Sequence, residues 1–172
     1  MNTIDPRSAL FRRLKWFLLL LALPAVASAA EVQAWLMFNP ASSETLMSTD
    51  VVEKNHLIHG GWKISGTGVL QSENGADAGL LHRMVRPDPK GSLRMLVATP
   101  DEVSANLKAG FVTEGALGYV SLKSGPGLVA VYRVTKDDRS LWLISWADRK
   151  WAEKNGWTHE QAVFWLWTAN YR

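Results

Sequence analysis

A glycine followed by a large aromatic residue occurs three times along this 172-residue chain at nearly constant spacing. Nothing else in the sequence constrains the fold as much. The clearest stretch is Gly156-Trp157-Thr158-His159-Glu160-Gln161-Ala162-Val163-Phe164-Trp165. Gly110-Phe111-Val112-Thr113-Glu114-Gly115-Ala116-Leu117-Gly118-Tyr119 is a second version, and Gly61-Trp62-Lys63-Ile64-Ser65-Gly66-Thr67-Gly68-Val69-Leu70 a fainter third. The aromatics stand at 62, 111 and 157, so the period is 49 and then 46 residues. Self-similarity at such a period implies units that cannot bury their apolar faces alone and must share one core. Turn-rich clusters at 72–79 and 124–127 divide the chain into units 32–77, 78–127 and 128–172. Pieces of about 45 residues are too small to stand alone. The reading is therefore one domain over 30–172.

Within each unit, two apolar runs flank a turn. Ala34-Trp35-Leu36-Met37-Phe38 and Leu46-Met47 lie either side of Asn39-Pro40-Ala41-Ser42-Ser43. The second unit has Leu81 to Val85 and Leu93 to Val97, and the third has Ala130 to Val134 and Leu141 to Ile144. Such pairs read as β-hairpins. Asp50, Thr99 and Ser145 each lie 12 residues before the marker aromatic. All three are good N-cap types, because a side-chain oxygen can accept from a free N–H of the first turn. Glu53, Glu102 and Asp148 follow three residues later in the capping-box position. The glycines before the aromatics stop each helix after about ten residues. One detail breaks the pattern. The second helix carries its apolar residues four and eight places after the cap (Val103, Leu107), whereas the others carry them at two and six (Val52; Ala147 and Trp151). The expected class is α+β: three strand-strand-helix-strand repeats in a pseudo-threefold single domain, with the helices outside. A linear solenoid is the alternative, but neither terminal unit has a polar cap.

Residues 1–29 read as a signal peptide. Arg7, Arg12, Arg13 and Lys15 precede the apolar run Trp16 to Leu23, Pro24 breaks it, and Ala27-Ser28-Ala29 fits a cleavage site. Eight apolar residues fall short of the roughly 20 that a membrane span needs. This predicts a periplasmic or extracellular protein with no stable membrane anchor after cleavage. That segment holds four cations and one anion, so what remains carries fifteen of each and is formally neutral. The basic character of the whole chain thus gives no support for nucleic-acid binding. The chain has no Cys and nine Trp, eight of them after the signal segment. Packing, and not disulfides, must hold it together.

Val131-Tyr132-Arg133-Val134, Phe38-Asn39-Pro40, Gly110-Phe111-Val112-Thr113-Glu114-Gly115-Ala116 and Gly156-Trp157-Thr158-His159-Glu160 together resemble a family of secreted bacterial repeats of unknown function. Its unit runs approximately Y-R-F-Y-N, H-F-Y-T, a short helix, then G-W-x-x-E-G-x-A-F-Y. The resemblance covers essentially the whole chain after the signal segment. The H-F-Y-T element is absent; Leu46-Met47, Met95-Leu96 and Leu141-Trp142 stand in its place. Any ligand contact that the family's His and Tyr make is lost here. The resemblance implies a secreted, repeat-built module, accessory to enzymes acting outside the cell, and supplies no reaction.

No catalytic constellation is visible. Nucleophile-elbow and P-loop patterns are missing. His56 and His59 share one helix face, but no third ligand is near in sequence, so no metal and no cofactor is expected. Glu114 and Glu160 occupy equivalent places and could form a hydrolytic carboxylate pair if about 5–9 Å apart. An accepting role toward neighbouring backbone N–H groups is the stronger reading. Tryptophan is the abundant functional type. Trp62, Phe111 and Trp157 mark the units and read as structural. Trp146, directly after a helix cap, and Trp165 and Trp167, on one face of the last strand, are the candidate ligand-binding residues. Exposed indoles stack on sugar rings or anchor protein partners. The functional expectation is a non-catalytic binding module for a polysaccharide or another envelope protein. A hydrolase and a purely structural envelope protein are the alternatives.

Overall fold

Each glycine-aromatic pair marks the exit from a helix into a strand. The computed structural model describes residues 30–89 and 91–169, with the side chains at 159–161 outside the description. The segment read as a signal peptide, 1–29, also lies outside the described residues. In chain order the elements are β1 (Glu31–Asn39), β2 (Glu44–Ser48), α1 (Val51–His59), β3 (Lys63–Gln71), β4 (Ala78–Asp88), β5 (Gly91–Val97), α2 (Pro100–Lys108), β6 (Val112–Ser121), β7 (Leu128–Lys136), β8 (Arg139–Leu143), α3 (Trp146–Lys154) and β9 (Thr158–Trp167).

The helix boundaries follow from capping chemistry. Asp50 accepts from the Val52 N–H, Thr99 from Glu102 and Ser145 from Asp148. The Thr99 hydroxyl also donates to Glu102 at 2.9 Å and the Ser145 hydroxyl to Asp148 at 2.7 Å. At the other end Gly61, Gly110 and Gly156 take φ of 87°, 84° and 79°. This left-handed step lets the next N–H reach back into the helix: Trp62 to Leu57, Phe111 to Asn106 and Trp157 to Ala152, each at 3.0 Å. Phe111 and Trp157 are buried there, and Trp62 is half-buried.

The expected class is overturned. The fold is β-rich, a mostly antiparallel sheet of nine strands, and not a pseudo-threefold α+β array of strand-strand-helix-strand repeats. The physical reason lies in burial. The three helices have nine residues each and bury a single side chain among them, Ala152. They are attachments on the sheet and form no layer of the core. The strand pairs are also unequal: the β4–β5 register runs over seven residue pairs, against five for β1–β2 and β7–β8.

The sheet runs β2-β1-β3-β6-β9-β7-β8, with β4 joining at β6 and β5 at β4. It closes because β3 also pairs with β9, through Val69 and Trp167. Gln71 pairs with Tyr119 and Ser121 with Trp165, so β3, β6 and β9 each meet the other two. Alternation then sends Ala34, Leu36, Leu70, Leu81, Val120, Val131, Phe164 and Leu166 into one shared core beneath Trp142. Gly68 is required at this closure, since a Cβ there would lie 2.6 Å from the Leu166 Cβ. Elsewhere in the sheet, β2 and β8 are locked by Trp142 N–H donating to Thr45 Oγ1 at 3.0 Å and Arg139 donating to Ser42 O at 3.1 Å.

Candidate ligand-binding site

Helix α3 follows β8 through the Ser145 cap, and its sequence Trp-Ala-Asp-Arg-Lys-Trp puts two indoles on a short surface helix. Trp146, at the first helical position, is 70% exposed. Lys150 Nζ stands 5.8 Å from its ring centroid, and the two share a hollow of about 250 Å³ with Arg149 and Glu153. Trp151 is 39% exposed. Its ring meets Phe38 edge-on, with centroids 5.4 Å apart at 68°. That contact holds one side of an indole that stays partly open to solvent.

Beside Trp151 lies a second hollow, of about 280 Å³. The β7–β8 hairpin supplies Lys136, Asp137 and Arg139 to its wall, the C-cap of α3 supplies Asn155, and the buried marker Trp157 also lines it. These polar groups are held in place. Lys136 Nζ donates to Asn155 O at 2.8 Å, and Asn155 Nδ2 donates to Trp151 O at 2.7 Å. Arg139 reaches both Ser42 O and, at 3.6 Å, Glu44. A lysine ammonium and a guanidinium retain further donors after such bonds. The arrangement offers one flat apolar face with fixed donors and acceptors at its edge.

Of the residues singled out from sequence, Trp146 stands on the open surface. Trp165 and Trp167 are half-buried, on the face of β9 opposite the core residues Phe164 and Leu166. Each is flanked on both sides: Trp165 is in register with Ser121 and Ala130, Trp167 with Val69 and Leu128. Neither lines the hollow at Trp146 or the one at Trp151. Sequence reasoning passed over the Trp151 hollow because its wall joins residues 43, 136–139 and 151–157, which only the folded sheet brings together. The one available signal was the polar turn Lys136-Asp137-Asp138-Arg139.

Glu114 is committed elsewhere. Its Oε2 lies 3.1 Å from Arg83 Nε, at ion-pair distance but outside hydrogen-bond geometry. The same guanidinium donates from Nη1 to Glu53 at 2.8 Å and to Met47 O at 3.2 Å. Burial pushes the Glu53 carboxyl up, but hydrogen bonds from Arg83 and Ser48, with the Arg83 charge, outweigh it and hold the pKa below its ordinary value. The side chain of Glu160 lies outside the described residues. A carboxylate tied to a half-buried arginine is poorly placed to deliver a proton to a glycosidic oxygen. His59 Nδ1 lies 2.7 Å from Asn55 O at the end of α1, and among the described residues no group of three or more His, Cys, Asp or Glu could hold a metal ion. Among the described residues no helix is long and apolar enough to cross a membrane.

A family model described as a domain of unknown function, DUF5648, matches residues 33–167, nearly all of the described sheet. No curated protein and no solved structure is significantly similar to the chain.

Proposed function

This chain belongs to the DUF5648 family, and we propose that it is a non-catalytic binding module, exported by a cleaved N-terminal segment, whose ligand is a glycan of the cell envelope. The observation that carries the reading is the Trp151 hollow. A sugar ring has an apolar C–H face and an equatorial rim of hydroxyls, so it needs a flat aromatic surface with donors and acceptors around it. Trp151 gives the surface; Lys136, Arg139, Asp137 and Asn155 give the rim. Trp146, on the same helix, is a second exposed indole with a hollow of its own. The signal-peptide pattern at 1–29 supports export.

Quenching of tryptophan fluorescence by acrylamide, repeated with a panel of cell-wall and capsular polysaccharides, tests this. Trp142 is fully buried and serves as an unquenched background, while Trp146 and Trp151 are open to the quencher. One glycan class is expected to protect part of the emission, and Trp151→Ala to weaken binding about tenfold, the loss of one aromatic anchor. If no polysaccharide alters quenching, the glycan reading fails.

A further inference from the structure

Two of the three helices sit on the sheet through the same contact. The residue four places after the cap lays a cation over an aromatic ring, and that ring's strand partner lies two places before the cap. At α1 these are Lys54 and Trp35, with Nζ 4.9 Å from the ring centroid. At α3 they are Arg149 and Tyr132, at 3.6 Å. The strand register fixes the correspondence: Trp35 faces Ser48, Tyr132 faces Leu143, and the third member, His82, faces Val97. At α2 the two places are therefore Val103 and His82. The ring is smaller, and the long cationic side chain is gone.

The space they vacate is open. A cleft of about 580 Å³ lies under α2, and both His82 and Val103 line it. Leu107, one turn further along α2, extends the apolar wall, and Tyr119 of β6 and Asn74 bring polar edges to it. Its volume falls within the few hundred to a thousand Å³ of small-molecule sites. Among the described residues no Asp, Glu, Lys or Arg lines it. A charged ligand would lose its water there without gaining a counter-ion.

We propose that this cleft binds a small, uncharged aromatic compound with a hydrogen-bonding edge, of the indole or phenol class. The ligand's ring takes the place that Trp35 and Tyr132 fill under the other two helices, stacked between the His82 side of the sheet and the Val103–Leu107 face of α2. Its polar edge meets Tyr119, His82 or Asn74. The site shares no lining residue with the Trp151 hollow and stands whether or not that hollow binds glycan.

The test is calorimetric titration of the purified protein with indole. Saturable one-to-one binding is expected. Val103→Arg, which restores a long cationic side chain at the place of Arg149, and separately Leu107→Trp, which blocks the cleft from an exposed position, should each weaken it tenfold or more, and Trp151→Ala should not. Two variants are used so that a folding defect in one, visible by circular dichroism, leaves the other decisive. Indole-3-acetate, which adds a carboxylate, should bind at least tenfold more weakly than indole. Absence of saturable indole binding, unchanged affinity in the folded blocking variants, or equal affinity for indole-3-acetate overturns the proposal.

Discussion

Arg83 joins four segments through one guanidinium, and its removal should be costly in a way that depends on pH. It reaches Glu53 of α1, Glu114 of β6 and the Met47 carbonyl of β2 from its own place on β4. Its side chain is 15% exposed, and those of Glu53 and Glu114 are 32% and 27%. Arg83→Met keeps most of the aliphatic stem but leaves two carboxylates facing each other without a cation. Breaking a fully buried ion pair costs about 3–5 kcal/mol. Water reaches these acids in part, so about 2–3 kcal/mol is expected at pH 7. For a domain of this size that lowers Tm by about 10 °C. The folded pKa of Glu53 is depressed, so the stability it contributes is present above the unfolded carboxylate value of 4.5 and is lost as pH falls through the folded value. The gap between wild type and Arg83→Met should therefore be widest near pH 7 and narrow as pH falls below 4.5. Urea unfolding at pH 7 and at a series of pH values descending from 4.5 measures both. A difference under about 0.5 kcal/mol at pH 7, or a gap that widens on acidification, refutes the reasoning.

Three further outcomes are expected. Gly68→Ala places a Cβ 2.6 Å from the Leu166 Cβ at the sheet closure and should cost about 1–3 kcal/mol by urea unfolding. Thr99→Ala removes both the N-cap acceptor and the bond to Glu102, and should cost about 1 kcal/mol, seen as a lower Tm. Gly156→Ala forces a side chain into φ of +79° and should cost about 1–2 kcal/mol in the same assay, although the nearest neighbouring atom, Lys136 Nζ, is 3.6 Å away.

The local chemistry of the chain was legible before its tertiary arrangement. The caps at 50, 99 and 145 and the stops at 61, 110 and 156 depend on residues within one turn of each other, so sequence spacing was enough to place them. Fold class depends on what each helix buries, which sequence spacing does not show. α1 carries Val51, Val52 and Ile58, yet all three face solvent. The misplaced apolar residues of the second helix had a physical meaning: Val103 and Leu107 line a cleft where α1 carries Lys54 and Ile58 and α3 carries Arg149 and Glu153. Trp142 looked like one indole among many, but β8 is covered on both faces, so Leu141, Trp142 and Leu143 are all buried. Trp165 and Trp167 share a strand face as expected, but neighbouring strands flank both. The Trp151 hollow joins sequence positions more than a hundred residues apart, a juxtaposition that only the folded sheet creates.

The pairing of β9 with β3, β6 and β7 has a consequence for timing. A chain emerging from its N-terminus presents β3, β6 and β7 long before β9 exists. Until then each has an edge with unmet N–H and C=O groups, the kind of edge that recruits other chains. The contacts that close the body span up to about a hundred residues, Val69 to Trp167, and such pairings form slowly. Residues 31–157 therefore cannot reach the final arrangement by themselves, however completely their own hairpins form. Assembly waits for the ten residues of β9, and a block on their delivery holds the sheet open.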